Sequence, residues 1–141
     1  MARVTDDIRQ QVYERARRQC EYCQTQKKLV VTMQIDHIIP LAADGATALD
    51  NLCLSCVSCN SNKRDFQFGI DPATGLDARL FHPRTQRWAT HFRWSDDGLR
   101  IIGLTATGRA TVNRLRMNGT AMVESRGEWV AMGKHPPIHG S

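Results

Sequence analysis

The 141-residue sequence has no apolar run long enough to cross a bilayer, and its start, Met-Ala-Arg-Val-Thr-Asp-Asp, lacks the apolar stretch of a secretory signal. The first absence excludes a helical membrane protein, and the two together predict a cytoplasmic one. No internal repeat and no low-complexity tract occurs, so repeat architectures are excluded. A strong excess of charge of one sign is also lacking. The formal balance is +5 with 23% of residues charged, which suggests a polyanionic partner without requiring one. What is present, 41% hydrophobic residues over this length, fits one globular domain or a small module with a dependent extension. The basic excess is uneven. Residues 1–65 carry nine Lys/Arg against eight Asp/Glu, and residues 66–141 carry ten against six, so the second half holds most of it.

Five cysteines remain to be explained, an odd number that argues against a disulfide framework in a reducing compartment. Four form two pairs, Cys20-x-x-Cys23 and Cys56-x-x-Cys59, with 32 residues between them. Each such turn offers two thiolates from one tight bend, and two turns complete the tetrahedron of a closed structural zinc site. An iron held by the same four sulfurs, or a redox CxxC, competes with this reading. Cys53 adds an ambiguity, because Cys53-x-x-Cys56 is itself a CxxC. A short apolar strand makes it a core residue instead, and helical spacing favours Cys56 with Cys59 as the ligand pair. Four thiolates on one Zn²⁺ leave two negative charges on the site, lowering the chain's balance to +3 and shifting nucleic-acid contact onto the arginines.

The pattern predicts an α+β fold. Thr5-Asp6-Asp7 starts a helix that runs through Ile8, Val12 and Ala16 to about Gln19. Leu29–Ile35 reads as a strand with Asp36-His37 at its end, closed by Pro40 and the turn Ala43-Asp44-Gly45. Leu52–Ser55 is its partner, and Val57–Arg64 is a helix carrying Cys59, Asn60 and Lys63. Gly69, Asp71-Pro72 and Gly75 mark residues 66–76 as a linker between a module at 1–65 and an extension at 77–132. In that extension Arg93-Trp94 and Arg100–Ile102 form a hairpin about Asp97-Gly98. Thr107 caps a helix over 108–118 stopped by Gly119, and a short apolar segment runs from Met122 to Val130. Residues 133–141 are expected to fray.

Cys20-Glu-Tyr-Cys23, Asp36-His-Ile-Ile-Pro40, Asn51-Leu52 and Cys56-x-x-Cys-Asn-x-x-Lys63 together resemble the HNH endonucleases of the ββα-metal, or His-Me finger, group, in their four-cysteine zinc-binding variant. The resemblance covers residues 15–65 and implies a zinc-stapled ββα module that hydrolyses DNA phosphodiesters. It further implies that His37 is the general base, that Asp36 and Asn60 hold a catalytic cation, and that Asn51 tethers the hairpin loop. Asn60 stands where many members have histidine, so the donors are oxygens only and favour Mg²⁺ or Mn²⁺. Lys63 on the same helix face suits a phosphate. The segments Leu80-Phe-His-Pro-Arg84, His91-Phe-Arg-Trp94 and Gly108–Val112 resemble tails attached to such bacterial nucleases. Candidate DNA contacts are Lys63, Arg64, Arg109, Arg114 and Arg116, with Arg84, Arg87 and Arg93 around Trp88 and Trp94; alternatively the aromatics are simply the extension's core. His82, His91, His135 and His139 are expected to be surface or packing residues. The competing function is a zinc-stabilised nucleic-acid-binding protein without catalysis, and a more distant one is an iron-bound electron carrier. A homodimer is allowed by the sequence and not required by it.

Overall fold

The computed structural model describes residues 3–30 and 32–137. Helix α1 spans Asp6–Arg15, and the Thr5 hydroxyl accepts the Ile8 N–H at 3.2 Å, with Asp6 and Asp7 at the positive end of the dipole. Val12 and Ala16 are buried on one face and Ile8 packs beside them. The helix stops short of Gln19 because Arg17 and Arg18 both take left-handed backbone, φ 55°. That reversal delivers the chain into the bridge between Gln19 and Gln26, which frames the first cysteine pair. Arg15 ties α1 to the next layer by donating to the carbonyls of Leu49 (2.8 Å) and Leu52 (2.6 Å).

Strand β1, Met33–His37, pairs antiparallel with β2, Leu52–Cys56, in the register Asp36 opposite Cys53 and His37 opposite Leu52. β1 therefore begins later than the β-branched run suggests. Lys27–Leu29 form a single 3₁₀ turn, Val31 lies outside the described residues, and Asp36 and His37 are the last two strand residues. The loop between the strands bends through Leu41–Ala43 and the left-handed Asp44. At Gly45 a Cβ would lie 1.7 Å from the Ile39 carbonyl oxygen, so only glycine lets the two arms close. β2 runs directly into α2, Val57–Lys63. α2 packs across β1 and β2 and completes a ββα unit.

Residues 66–76 are not a linker of irregular chain. Phe68–Ile70 (β3) and Asp77–Arg79 (β4) form a hairpin, and the Asp-Pro and Gly75 signals belong to its turn. β3 passes so close to the fourth helix that a Cβ on Gly69 would meet the Ala110 carbonyl and Arg114 Cβ at 3.0 Å. A one-turn helix α3, Trp88–His91, leads to the hairpin of β5, Phe92–Trp94, and β6, Ile101–Gly103, turned at Asp97-Gly98 as the sequence predicts. Helix α4 spans Ala106–Arg114 and is capped by Thr105, whose hydroxyl accepts the Gly108 N–H at 3.0 Å; Thr107 lies inside the first turn. Gly119 is the start of a further helix, α5, Thr120–Ala131, which contains the expected apolar segment. Lys134 and His135 are held rather than frayed: the Lys134 carbonyl accepts from Gln26, and His135 is buried. His139 and the rest of 138–141 lie outside the described residues.

The two halves share one core. Val12, Tyr22, Leu52 and Leu54 of the ββα side are continuous with Phe81, Trp88, Phe92, Ile101 and Leu115 of the extension. Two indoles fasten them, Trp88 donating to the Tyr22 carbonyl at 2.8 Å and Trp94 to the Gln24 side chain at 3.0 Å. Among the described residues no helix is long and apolar enough to cross a membrane.

Candidate functional site

The Sγ atoms of Cys20, Cys23, Cys56 and Cys59 lie within 4.8 Å of one another, and all four residues are buried. Cys23 and Cys56 sulfurs are 3.6 Å apart. A tetrahedral zinc with Zn–S bonds of about 2.3 Å separates its sulfurs by about 3.8 Å, so the cluster has the size and donor set of a Zn²⁺ site. Each pair also turns a backbone amide onto its first sulfur, Cys23 N–H to Cys20 and Cys59 N–H to Cys56, both at 3.4 Å. Cys53 lies elsewhere. Its Sγ is 3.8 Å from an Asp36 oxygen, and burial followed by the Asp36 charge pushes its pKa well up, so it persists as a neutral thiol. The competing Cys53–Cys56 pairing is thereby resolved in favour of Cys56 with Cys59, because Cys56 caps α2 and Cys59 sits one turn on, facing back.

Asp36 points from β1 toward α2 and is nearly fully buried. Its Oδ2 accepts the Tyr22 hydroxyl at 2.7 Å and lies 3.1 Å from the Lys63 ammonium, which also reaches the His37 carbonyl at 3.2 Å. Burial, then Cys53 and Asp36, hold the Tyr22 phenol well above its ordinary pKa, fixing it as a donor. Lys63 is thus turned inward and only 1% exposed, engaged with a carboxylate instead of projecting to solvent. Asn60, on the same face of α2, donates its amide N–H to Gln34 Oε1 at 2.5 Å, which leaves its own oxygen free of partners among the described residues. Gln34 and Asp36 share one face of β1 by strand alternation.

His37 faces the other way. Its Nε2 is 2.9 Å from the Thr47 hydroxyl in the loop. Asn51 clamps that loop: its Oδ1 accepts the Ile39 N–H at 2.8 Å, and its amide donates to the Ile39 and Ala46 carbonyls, both at 2.9 Å. The strand end carrying His37 is therefore fixed two residues downstream by a single side chain.

The cations are distributed differently from the sequence expectation. Arg109 is committed to Asp71 through two bonds of 2.9 Å, and Arg84 pairs with Glu21 beside the first knuckle. Trp88 and Phe92 are core residues, in keeping with the packing alternative for the aromatics. Arg64 and Arg116 are exposed at left-handed positions, φ 51° and 50°. Arg114 lies over the exposed ring of Phe66 at 3.9 Å and Arg79 over that of Phe68 at 4.9 Å. Beside them a crevice of about 260 Å³ is lined by Lys63, Arg79, His82, Gln67 and Gln86, next to Ile38 and Ile39 at the end of β1. His82 Nδ1 accepts the Arg84 N–H at 3.2 Å, which leaves its Nε2 as the protonated nitrogen. Gln34, Thr47 and Arg79 carry no motif of their own, and only the fold brings them to this strand end.

Among the described residues no second group of three or more metal-ligating side chains accompanies the cysteines. Residues 20–66, a third of the chain, match the family model for HNH endonuclease. No curated protein and no solved structure gives a significant match. The matched segment runs from the first knuckle through β1, β2 and α2, and its four cysteines are gathered in the way a zinc-binding variant of that family requires.

Proposed function

We propose that the chain is a metal-dependent endonuclease that hydrolyses phosphodiester bonds in DNA. The observation that carries this reading is the end of β1, where Asp36 and His37 leave opposite faces of a strand locked by Asn51, with Asn60 and Lys63 on the adjoining helix. The donors available to a cation, an Asp36 carboxylate and the Asn60 amide oxygen, are hard oxygens and suit Mg²⁺ or Mn²⁺. Such an ion supplies Lewis acidity to a phosphate oxygen. His37 takes the proton of the attacking water. The tautomer that donates its Nε2–H to the Thr47 hydroxyl leaves Nδ1 as the nitrogen that accepts this proton.

DNA contact on this reading centres on the crevice beside Lys63 and on Arg79 and Arg114, with Arg64 and Arg116 free to add phosphate contacts at the surface. Arg109 is the least suited, since Asp71 already neutralises it. The second reading, a nucleic-acid-binding protein that does not cut, is favoured by one observation: Lys63 already occupies Asp36 as its counter-charge. Incubation of supercoiled plasmid with the zinc-loaded protein and Mg²⁺ or Mn²⁺ separates the two. Nicked or linear product that depends on the added cation is expected, and DNA that is bound but stays supercoiled in both metals would favour the second reading.

A further inference from the structure

Arg126, on α5 in the extension, is the largest fully buried side chain of the described residues. Its guanidinium donates to the Met117 carbonyl at 2.7 Å, the Leu99 carbonyl at 3.0 Å and Asn118 Oδ1 at 3.3 Å, and its Nε has no partner. Every acceptor is neutral. Among the described residues no carboxylate lies within ion-pair distance of it, although an unpaired buried charge is strongly unfavourable. Its neighbours lead to the first cysteine knuckle. The guanidinium stacks 5.2 Å from the Trp94 ring, and that indole donates to Gln24, the residue after Cys23. Trp88 likewise bonds Tyr22, inside the same knuckle. Burial lowers the Arg126 pKa, and the opposing contributions come from Cys23, Cys59, Cys56 and Cys20, all four members of the sulfur cluster. His135 packs edge-on against Trp94 at 4.5 Å with neither ring nitrogen bonded, and burial favours its neutral form, so it adds no charge to this layer.

We propose that Arg126 is the counter-charge of the metal-bound tetrathiolate. Zinc with four thiolates carries two negative charges in a buried setting, and Arg126 offsets one of them from behind the first knuckle. The extension is thereby a wall of the metal centre, and Arg126 is a positioning residue for the metal. This inference rests on the four-cysteine zinc site and is independent of nuclease activity.

The test compares full-length Arg126→Met, which removes the charge at similar volume, with Arg126→Lys, which keeps it. Met117→Ala serves as a control that loosens the same core without altering charge. Zinc affinity is read by chelator competition, and the thiolate-to-metal charge-transfer band is read after Co²⁺ substitution. Arg126→Met is expected to weaken zinc about 10- to 100-fold, as for other groups supporting metal ligands, and to shift the band. Arg126→Lys is expected to lose less than about tenfold and Met117→Ala to leave the band in place. Equal losses in the Met and Lys variants, or a Met variant with wild-type affinity and an unmoved band, would overturn the proposal. If Arg126→Met does not fold, Arg126→Lys decides: retained zinc with a wild-type band supports it, and zinc lost from a folded Lys variant refutes it.

Discussion

At the scale of single residues, two buried groups differ in what surrounds them: the cysteine cluster has the donors for a metal ion, and Asp36 has a cation of its own in Lys63. The four clustered cysteines are legible in the sequence because each CxxC turn fixes a pair, and the Asp36, His37, Asn51 and Asn60 set of the proposed site comes from the family resemblance. Tyr22 and Lys63 closing over Asp36, and Cys53 beside them, depend on how α2 lies against β1, which no local pattern encodes. Two predictions follow from that difference. Cys59→Ser is expected to lose most bound zinc while Cys53→Ala keeps it, as measured by elemental analysis of the purified proteins; zinc lost from Cys53→Ala with Cys59→Ser unaffected would reverse the ligand assignment. Lys63→Met leaves the nearly buried Asp36 without its cation, and breaking such a pair costs about 3–5 kcal/mol. Denaturant unfolding checks it, with the double variant Lys63→Met/Asp36→Asn recovering part of the loss because no uncompensated charge remains.

At the scale of elements, the ββα unit followed from alternation, caps and turn residues, whereas the extension was read too sparsely. Gly69, Asp71-Pro72 and Gly75 signal breaks in regular structure equally well for a linker and for a hairpin turn, and what distinguishes them is a long-range contact, the Arg109 fork on Asp71 from α4. The helix cap was misplaced by two residues because Thr105 and Thr107 are both capable hydroxyls, and the approach of β6 to α4 decides between them. The Asp71–Arg109 pair also gives the hairpin a pH signature. Arg109 holds the Asp71 carboxyl down at about 2, below the unfolded value near 3.9. A depressed carboxyl stabilises the fold fully above about pH 4 and loses that contribution as pH falls toward 2. Thermal melts of wild type and Arg109→Ala are accordingly expected to differ at pH 7 and to converge only as pH falls to about 2. A gap that stays constant across this range would show that the pair contributes nothing through ionisation.

At the scale of the whole molecule, the cysteine knuckles, the strand end and the extension share one core. Trp88 and Trp94 both bond the backbone or side chains of the first knuckle, so metal and extension report on one another. Chelation of zinc is expected to change the emission of these indoles in step with loss of helical circular dichroism, since a structural zinc site contributes folding energy directly. Indole emission unchanged after complete zinc removal would mean the extension stands without the knuckles. The proposed division of labour, sulfur for the frame and oxygen for the chemistry, has a spatial counterpart: Trp88 and Trp94 of the extension meet the first cysteine knuckle, and Asp36, His37 and Asn60 sit along β1 and α2. On the proposed function this frame positions His37 to activate water on a phosphodiester. The decisive measurement is the cleavage rate of plasmid DNA with Mg²⁺ or Mn²⁺ for His37→Ala beside wild type at equal zinc content. A rate lower by about 10²- to 10⁴-fold with zinc and fold intact is expected, and cleavage by His37→Ala at the wild-type rate would remove His37 from the mechanism.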